Sequence, residues 1–148
     1  MRLISIHVQH QNQNNLKQTY LSPMSCVNST KPIKKLYGKA DRVLIDAPCS
    51  GLGVIRRNPD SKWKLQPEFI DNIKKIQQEL LQSYSKMVKP GGKMVYATCS
   101  ILPSENQNQV KTFLASESGK DFAFVSDKKI MAHISGFDGF YMALLEKK

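Results

Sequence analysis

The sequence predicts an α/β fold built around one half of a doubly wound, mostly parallel sheet. Two short aliphatic runs, at residues 43–45 and 94–95, each lead into a small polar loop that contains a cysteine. A long helical pattern separates the two runs, and its apolar residues recur every three or four positions. Strand, helix and strand in this order form a parallel pair. Both loops should therefore share the sheet edge at which such folds bind ligands.

The individual elements can be assigned in order from residue 33 onward. Alternating or continuous apolar residues indicate strands, three- to four-residue spacing indicates helices, and proline and glycine mark their ends. The predicted order is a strand at 42–46, a helix at 67–88 that ends at Pro90-Gly91-Gly92, a strand at 93–98, a helix opened by a capping box of Ser104 and Gln107, and strands at 122–125 and 140–145. This is half of a doubly wound sheet.

Residues 1–32 differ in composition from the rest of the chain. A short strand-like start at residues 3–8 is followed by a stretch rich in glutamine, asparagine and serine. We interpret residues 1–32 as a divergent, poorly ordered segment, or as one whose partner is missing. Residues 33–148 are then the globular domain.

Composition limits the classes of function. The chain has 148 residues, 41% of them hydrophobic, and no apolar run near the ~20 residues that span a membrane. No signal peptide pattern is present, so we expect a cytoplasmic protein. Three cysteines without a CxxC motif disfavour a disulfide framework and a thiol redox protein. A lone HxxH at His7 and His10 is too little for zinc, and we expect no metal.

The net charge of +10 favours a polyanionic partner, with nucleic acid first. The plainer alternative is an ordinary basic surface. Arg56, Arg57, Lys62 and Lys64 surround Trp63, which combines phosphate-binding charge with a stacking surface for single-stranded nucleic acid. Alternatively, this loop is merely solvated and Trp63 lies in the core.

The two strand-end cysteines, Cys49 and Cys99, are candidates for nucleophilic chemistry. A thiolate is a strong nucleophile when its pKa is depressed, and the helix predicted to open near Ser104 would favour the Cys99 thiolate. Asp46, at the end of the first strand, can accept hydrogen bonds from an amino group or a base. Pro48 stiffens the Cys49 loop. The alternative is that both cysteines are small hydrophobic residues at strand ends.

At these residues the chain resembles the RNA cytosine-C5 methyltransferases of the Nop/Sun family, especially the bacterial ribosomal RNA small-subunit enzymes. Asp-Ala-Pro-Cys-Ser-Gly at 46–51 is similar to the family's fourth methyltransferase motif, and Thr-Cys-Ser at 98–100 is similar to its sixth. Further matches follow in order at residues 56–60, 62–63, 90–92, 103–106 and 136–141. The resemblance covers residues 33–148.

The resemblance implies a Rossmann-like fold dependent on S-adenosylmethionine, of which this chain is the C-terminal half. It implies that Cys99 attacks C6 of a cytosine in RNA, most simply ribosomal RNA, and that Cys49 assists loss of the C5 proton and release of the product. Asp46 would hold the base or, with Pro48, the cofactor. Arg56, Arg57, Lys62 and Trp63 would contact RNA.

The family's cofactor site also uses a glycine-rich loop after its first strand, together with acidic residues. Residues 1–32 contain neither glycine nor an acidic residue. A second hypothesis is therefore a truncated, inactive fragment that keeps a basic RNA-binding surface. We expect the isolated chain to bind S-adenosylmethionine weakly or not at all, because a glycine-rich loop brings its backbone close to the ligand.

Overall fold

The computed structural model describes residues 3–11, 15–19 and 34–148, whose strands form one six-stranded sheet. The strands are β1 (Leu3–Gln11), β2 (Asn15–Thr19), β3 (Ala40–Asp46), β4 (Val88–Thr98), β5 (Phe122–Ile130) and β6 (Phe140–Lys147), arranged in the order β2-β1-β3-β4-β6-β5. The centre, β1-β3-β4, is parallel, whereas β2, β6 and β5 join by antiparallel pairing. The mostly parallel sheet of the prediction is thus parallel at its centre only.

Four α-helices lie wholly within the described ranges: α1 (Ser61–Lys64), α2 (Pro67–Ser85), α3 (Gln107–Leu114) and α4 (Ala132–Ser135). The long helix α2 begins with Pro67 in its first turn, where a missing N–H costs nothing, and Glu68 there suits the helix dipole. It connects β3 to β4 and thereby makes them a parallel pair. The predicted β-α-β unit is confirmed.

The core lies between this pair of strands and the helices α2 and α3. Alternate residues of β3, β4 and β6 are buried, as expected for strands covered on one face. Leu81 and Tyr84 of α2 and Phe113 of α3 supply the helical side of the same cluster. The helices therefore hold the ends of β3 and β4 in a rigid frame.

Two predicted boundaries are wrong in detail. Helix α2 ends at Ser85 and not at 88, because Val88 already pairs in β4 and residues 90–92 lie within that strand beside an irregularity in its register with β3. The capping box of Ser104 and Gln107 is also wrong. Residues 103–105 form a 3-10 turn and α3 starts only at Gln107, with no side-chain cap, because the Asn106 backbone is not helical.

The strand-like start of the N-terminal segment is confirmed as β1, which pairs in parallel with β3. The predicted poor order of residues 1–32 stays a prediction. Of this segment the structure describes β1 and β2, while 1–2, 12–14 and 20–33 lie outside the described residues. The boundary at residue 33 stays a prediction. Among the helices of the described ranges, none has the length and apolarity to cross a bilayer.

Candidate active site

The sulfur atoms of Cys49 and Cys99 lie 3.2 Å apart at one edge of the sheet. Strands β3 and β4 run in parallel with Asp46 opposite Ala97, so the loops that follow them begin side by side. Both cysteines are free thiols, and both are partly buried. The predicted approach of the two cysteines is confirmed.

The two thiols differ in their tendency to ionise. The hydrogen bond between them lowers the pKa of Cys99, because the Cys49 S–H can donate to a Cys99 thiolate. The same bond, together with burial and the repulsion of a second negative charge, raises the pKa of Cys49 well above its ordinary value. When the pair loses one proton, these shifts therefore favour a thiolate on Cys99 beside a thiol on Cys49.

The predicted contribution of a helix dipole to the Cys99 thiolate stays a prediction, but the helix starts later in the chain than predicted. Helix α3 begins at Gln107, and a 3-10 turn that carries the acidic Glu105 separates it from Cys99. Both Glu105 and Asp46 raise the pKa of Cys99 through their negative charge. The neighbouring thiol overcomes these opposing effects. Asp46 ends β3 opposite Ala97 of β4, two residues before Cys99, and its role at the site stays a prediction.

A fully buried carboxylate, that of Glu105, joins the two cysteine loops. Its Oε1 accepts the Ser50 backbone N–H at 2.8 Å, and its Oε2 accepts the Ser50 hydroxyl at 2.5 Å. The Ser100 hydroxyl also donates to Oε2. Ser50 follows Cys49 and Ser100 follows Cys99, so one acidic group is tied to the residue after each sulfur.

A second layer of side chains fixes the same carboxylate and loops. The buried Gln77 of α2 donates from Nε2 to the Pro48 carbonyl at 2.8 Å and to Glu105 Oε1 at 3.2 Å. The Tyr96 hydroxyl donates to the Glu105 carbonyl at 2.8 Å. Pro48, predicted to bind a cofactor, is buried, and its carbonyl is occupied by this contact with Gln77. Its direct role at this site is to anchor the Cys49 loop to α2.

Two glycines let a third loop join the site. Gly53 N donates to the Cys99 carbonyl at 2.9 Å, and Gly139 N donates to the Gly53 carbonyl at 2.8 Å. A Cβ on Gly53 would lie 2.7 Å from the Cys99 carbonyl oxygen, and one on Gly139 would lie 2.6 Å from the Ile101 side chain. The loops after β3 and β4 and before β6 therefore meet in backbone contact.

The predicted RNA-binding residues are on the surface beside this junction. The exposed Arg57 forms an ion pair with Asp138 at 2.6 Å, and Arg56 donates to the Gly136 carbonyl at 3.3 Å. Trp63 is 76% exposed, with the Lys62 ammonium 4.8 Å from its ring centroid. The alternative that Trp63 lies in the core is wrong. For Lys64 only the backbone is described.

Sequence reasoning overlooked several residues that the structure brings to this edge. Glu105 and Gln77 belong to the buried network, and Ile134 (78% exposed) and Phe137 (74% exposed) flank Gly136 on the surface. A serine directly after each cysteine was the available signal for a shared anchor. In the described part of the chain, no three His, Cys, Asp or Glu residues group as a metal site would require.

A sheet with a parallel centre and a cysteine pair at its carboxyl edge defines a class, the Rossmann-like fold of the S-adenosylmethionine-dependent methyltransferases, as predicted. Within that class, the chain belongs to the 16S rRNA methyltransferase RsmB/F family, whose model matches residues 5–146. The predicted resemblance to the Nop/Sun type is thereby confirmed. The match begins within the segment 1–32.

Individual relatives agree with this family. Ribosomal RNA small subunit methyltransferase B of Vibrio vulnificus (strain YJ016) is 40% identical over 140 residues, which cover 90% of this chain and 33% of the relative. The crystal structure of PH0851 is 36% identical, with a TM-score of 0.70 over 75% of this chain and 27% of that one. NSun6 from Pyrococcus horikoshii, solved with SFG, is 25% identical, with a TM-score of 0.66 over 80% of this chain and 33% of that one.

The chain spans about a quarter to a third of the length of the curated relatives it matches, from 25% to 33%.

Proposed function

We propose that this chain carries the reacting groups of an RNA cytosine-C5 methyltransferase that acts on ribosomal RNA through a covalent cysteine adduct. The observation that carries the proposal is the pair of sulfurs 3.2 Å apart with opposite shifts in pKa. A reaction that needs a nucleophile and then a separate proton acceptor is served by one thiolate and one thiol at the same place.

Cys99 is the nucleophile in this proposal. Its thiolate adds to C6 of the cytosine, which turns C5 into a carbon nucleophile. After C5 has been methylated, loss of the C5 proton and of the Cys99 sulfur restores the aromatic ring. The base has to leave any stack to reach the sulfurs, which suits single-stranded or opened RNA.

The contact with Cys99 keeps Cys49 protonated at first, and the loss of that contact allows Cys49 to act as a base later in the reaction. The leading causes of its raised pKa include the hydrogen bond to Cys99 and the repulsion of the Cys99 charge. Once Cys99 is bonded to C6, its sulfur carries no negative charge, and both of these causes disappear. The pKa of Cys49 then falls toward its ordinary value, so that Cys49 can release its own proton to solvent, and the resulting thiolate accepts the C5 proton late in the reaction.

S-adenosylmethionine is the cofactor in this proposal, and when bound it supplies an electrophilic methyl group. Support comes from family membership and from NSun6, which was solved with SFG, an analogue of S-adenosylmethionine. The residues present fit its amino-acid end. Asp46 stands at the carboxyl end of β3 near Cys99 and can accept hydrogen bonds from an ammonium group, while the buried Pro48 keeps the adjoining backbone fixed.

The RNA in this proposal lies over Trp63, Lys62 and the Arg56–Arg57 pair. Trp63 presents an exposed ring, and aromatic side chains bind unpaired bases by stacking. The formal net charge of +10 supplies attraction to phosphates.

Methyl transfer from radiolabelled S-adenosylmethionine to 16S ribosomal RNA, followed by digestion to nucleosides, tests the proposal. The assay uses this chain joined to a glycine-rich, cofactor-binding half of the catalytic domain, because the isolated chain is expected to bind the cofactor weakly or not at all. The expected labelled product is 5-methylcytidine, and the Cys99→Ala variant should yield none. Label in another nucleoside would contradict cytosine-C5 chemistry, and so would full activity of Cys99→Ala.

The second candidate is an RNA-binding protein without activity, favoured by the exposed basic loop around Trp63. This alternative predicts that the chain binds 16S ribosomal RNA in a salt-dependent way and that replacing both Cys49 and Cys99 leaves affinity unchanged. Binding of that kind with no 5-methylcytidine formed would favour it over the enzyme.

A further inference from the structure

The two cysteine loops share an anchor that has no place in the chemistry described above. We propose that Glu105 is a positioning residue which, by accepting hydrogen bonds from the serines that follow Cys49 and Cys99, sets the distance between the two sulfurs. The inference deepens the proposed function and rests on it, because the sulfur spacing matters for catalysis only if both thiols act on one base.

The contacts of Glu105 support this role. It is fully buried, and four donor groups converge on its carboxylate: the Ser50 N–H, the Ser50 and Ser100 hydroxyls and the Gln77 amide. A buried carboxylate is costly unless it is hydrogen-bonded in this way. Its acceptor sites are therefore used to hold the loops, and its own backbone is held in turn by Tyr96.

Each serine is fixed at both ends. The Ser100 hydroxyl donates to Glu105 and accepts the Leu102 N–H at 3.1 Å, while the Ser50 hydroxyl donates to Glu105 and accepts the Leu52 N–H at 3.5 Å. The two hydroxyl oxygens are also 3.2 Å apart. The distance between the two serine hydroxyls equals the distance between the two sulfurs of the preceding residues. One carboxylate that binds both serines therefore fixes both distances.

Glu105 can act on the thiols through its negative charge or through the loop positions that it fixes. These two roles have different effects on the pKa values of Cys49 and Cys99, so an experiment can distinguish them. The charge of Glu105 raises the pKa of both Cys49 and Cys99, so removing charge alone lowers both values and preserves the gap between them. Loosening the loops weakens the contact between the sulfurs, which raises the pKa of Cys99 and lowers that of Cys49. If Glu105 acts by positioning the loops, the difference between the pKa values of Cys49 and Cys99 should therefore decrease when the loops are loosened.

Other charged or titratable groups also act on this pair. Asp46 raises the pKa of Cys99 by its charge, and Tyr96 interacts with Cys49. Neither is changed in the variants below, so their effects remain constant in the comparison.

The experiment measures alkylation of the intact chain by iodoacetamide as a function of pH, with each cysteine quantified by mass spectrometry of tryptic peptides. The Ser50→Ala/Ser100→Ala variant removes both hydroxyl links but keeps the Glu105 charge. We expect its Cys99 to lose about tenfold of its thiolate at neutral pH, corresponding to a rise of about one pKa unit, while Cys49 titrates at lower pH. The Glu105→Gln variant should also decrease the difference between the two pKa values, because the NH2 group of glutamine cannot accept the two serine hydroxyls that bind Oε2.

Gln78→Leu is the matched control. It removes hydrogen bonds from Gln78 to Gln109 between α2 and α3 and leaves Ser50, Ser100 and Glu105 intact. We expect the gap to stay as in the unsubstituted chain. A gap that narrows as much in this control would mean general loosening and would overturn the proposal, as would an unchanged gap in the folded serine variants.

Single variants, Ser50→Ala and Ser100→Ala, maintain the test if the double variant does not fold, and each should narrow the gap in part. Alkylation needs neither RNA nor S-adenosylmethionine, so its outcome is independent of the methylation assay. If the difference between the two pKa values decreases, but the chain joined to its cofactor-binding half forms no 5-methylcytidine, the proposed function is refuted and the role of Glu105 in spacing is retained. If the difference between the two pKa values is unchanged while methylation is active, the role of Glu105 in spacing is refuted and the proposed function is retained.

Discussion

The Cys49 loop and the Cys99 loop are built alike and behave differently. In each, a strand ends, a cysteine follows, and the next residue is a serine bound to Glu105. The Cys99 loop is held further by Asn106, which donates to the Ser100 carbonyl at 2.9 Å. The Cys49 loop instead turns through Gly51, in a left-handed conformation. Shared anchoring thus brings the thiols together, while unequal burial and contacts decide which one ionises.

The largest effect should come from removing one sulfur at a time. In a version of this domain with its glycine-rich half restored, Cys99→Ala should abolish both methyl transfer and covalent attachment to RNA, since no thiolate is left to attack C6. Cys49→Ala should let the adduct form and then stall, because proton removal is lost, and a slow-migrating protein–RNA band should appear on a denaturing gel. Cys26→Ala serves as the control and should behave as the unsubstituted chain. A band in the Cys99 variant and none in the Cys49 variant would reverse the roles.

Next in size is a change at the backbone contact between the loops. Gly53→Ala should lower the free energy of unfolding by about 2–3 kcal/mol, because its Cβ overlaps the Cys99 carbonyl and the Gly139 backbone. Gly38→Ala is the control. Gly38 has a positive φ with open space around it, so its substitution should cost about 1 kcal/mol through the backbone conformation and not through a close approach. Urea unfolding measures both, and equal losses would mean that the close approach at Gly53 is unimportant.

A third prediction uses pH to compare the loops. In the unsubstituted chain, Cys99 should be alkylated at lower pH than Cys49, because its pKa is lowered and that of Cys49 is raised. Cys49→Ala removes the donor to the Cys99 thiolate, so the pKa of Cys99 should rise and its alkylation at neutral pH should slow. Cys99→Ala should have the opposite effect on Cys49. Shifts of the same sign in both variants would contradict the proposed hydrogen-bonded pair.

The smallest effect should come from the two arginines beside the Cys49 loop. Arg57 lies 2.6 Å from Asp138, whereas Arg56 lies 4.0 Å from it, and both side chains are exposed. Arg57→Ala should therefore lower stability by at most about 1 kcal/mol, and Arg56→Ala by less. Thermal unfolding gives the ranking. A larger loss for Arg56 would show that its contact with the Gly136 carbonyl is the stronger clamp.

Sequence pattern was sufficient for the centre of the fold and for the cysteine pair. Strand β3, helix α2 and the second half of β4 carry regular apolar spacing, and the order strand, helix, strand determines that Cys49 and Cys99 meet. The start of α3 was predicted wrongly because a local motif was taken for a cap. In the structure, Asn106 is instead engaged with Thr98 and Ser100, contacts that depend on the tertiary fold.

The ionisation of the site could not be derived from sequence either. The sequence offers only a helix dipole as a reason for a Cys99 thiolate, whereas in the structure the largest effect that lowers the pKa of Cys99 is the hydrogen bond from a thiol 50 residues away in the chain. The carboxylate that anchors both loops, Glu105, stands in a matched motif but carries no periodic signal. Its role follows only from the structure, in which Ser50, 55 residues distant in the chain, donates its backbone N–H to the Glu105 carboxylate.

The joining of three loops at Gly53 and Gly139 has a consequence for the order of folding. Arg56 and Gly136, which flank this contact, are 80 residues apart in the chain, so closing the site requires that β3, β4 and β6 are already aligned. Contacts of such long separation form after their entropic cost is met by the sheet. The loop before β6 is therefore expected to close over the cysteine pair late in folding, after β3 and β4 have already brought the two thiols together.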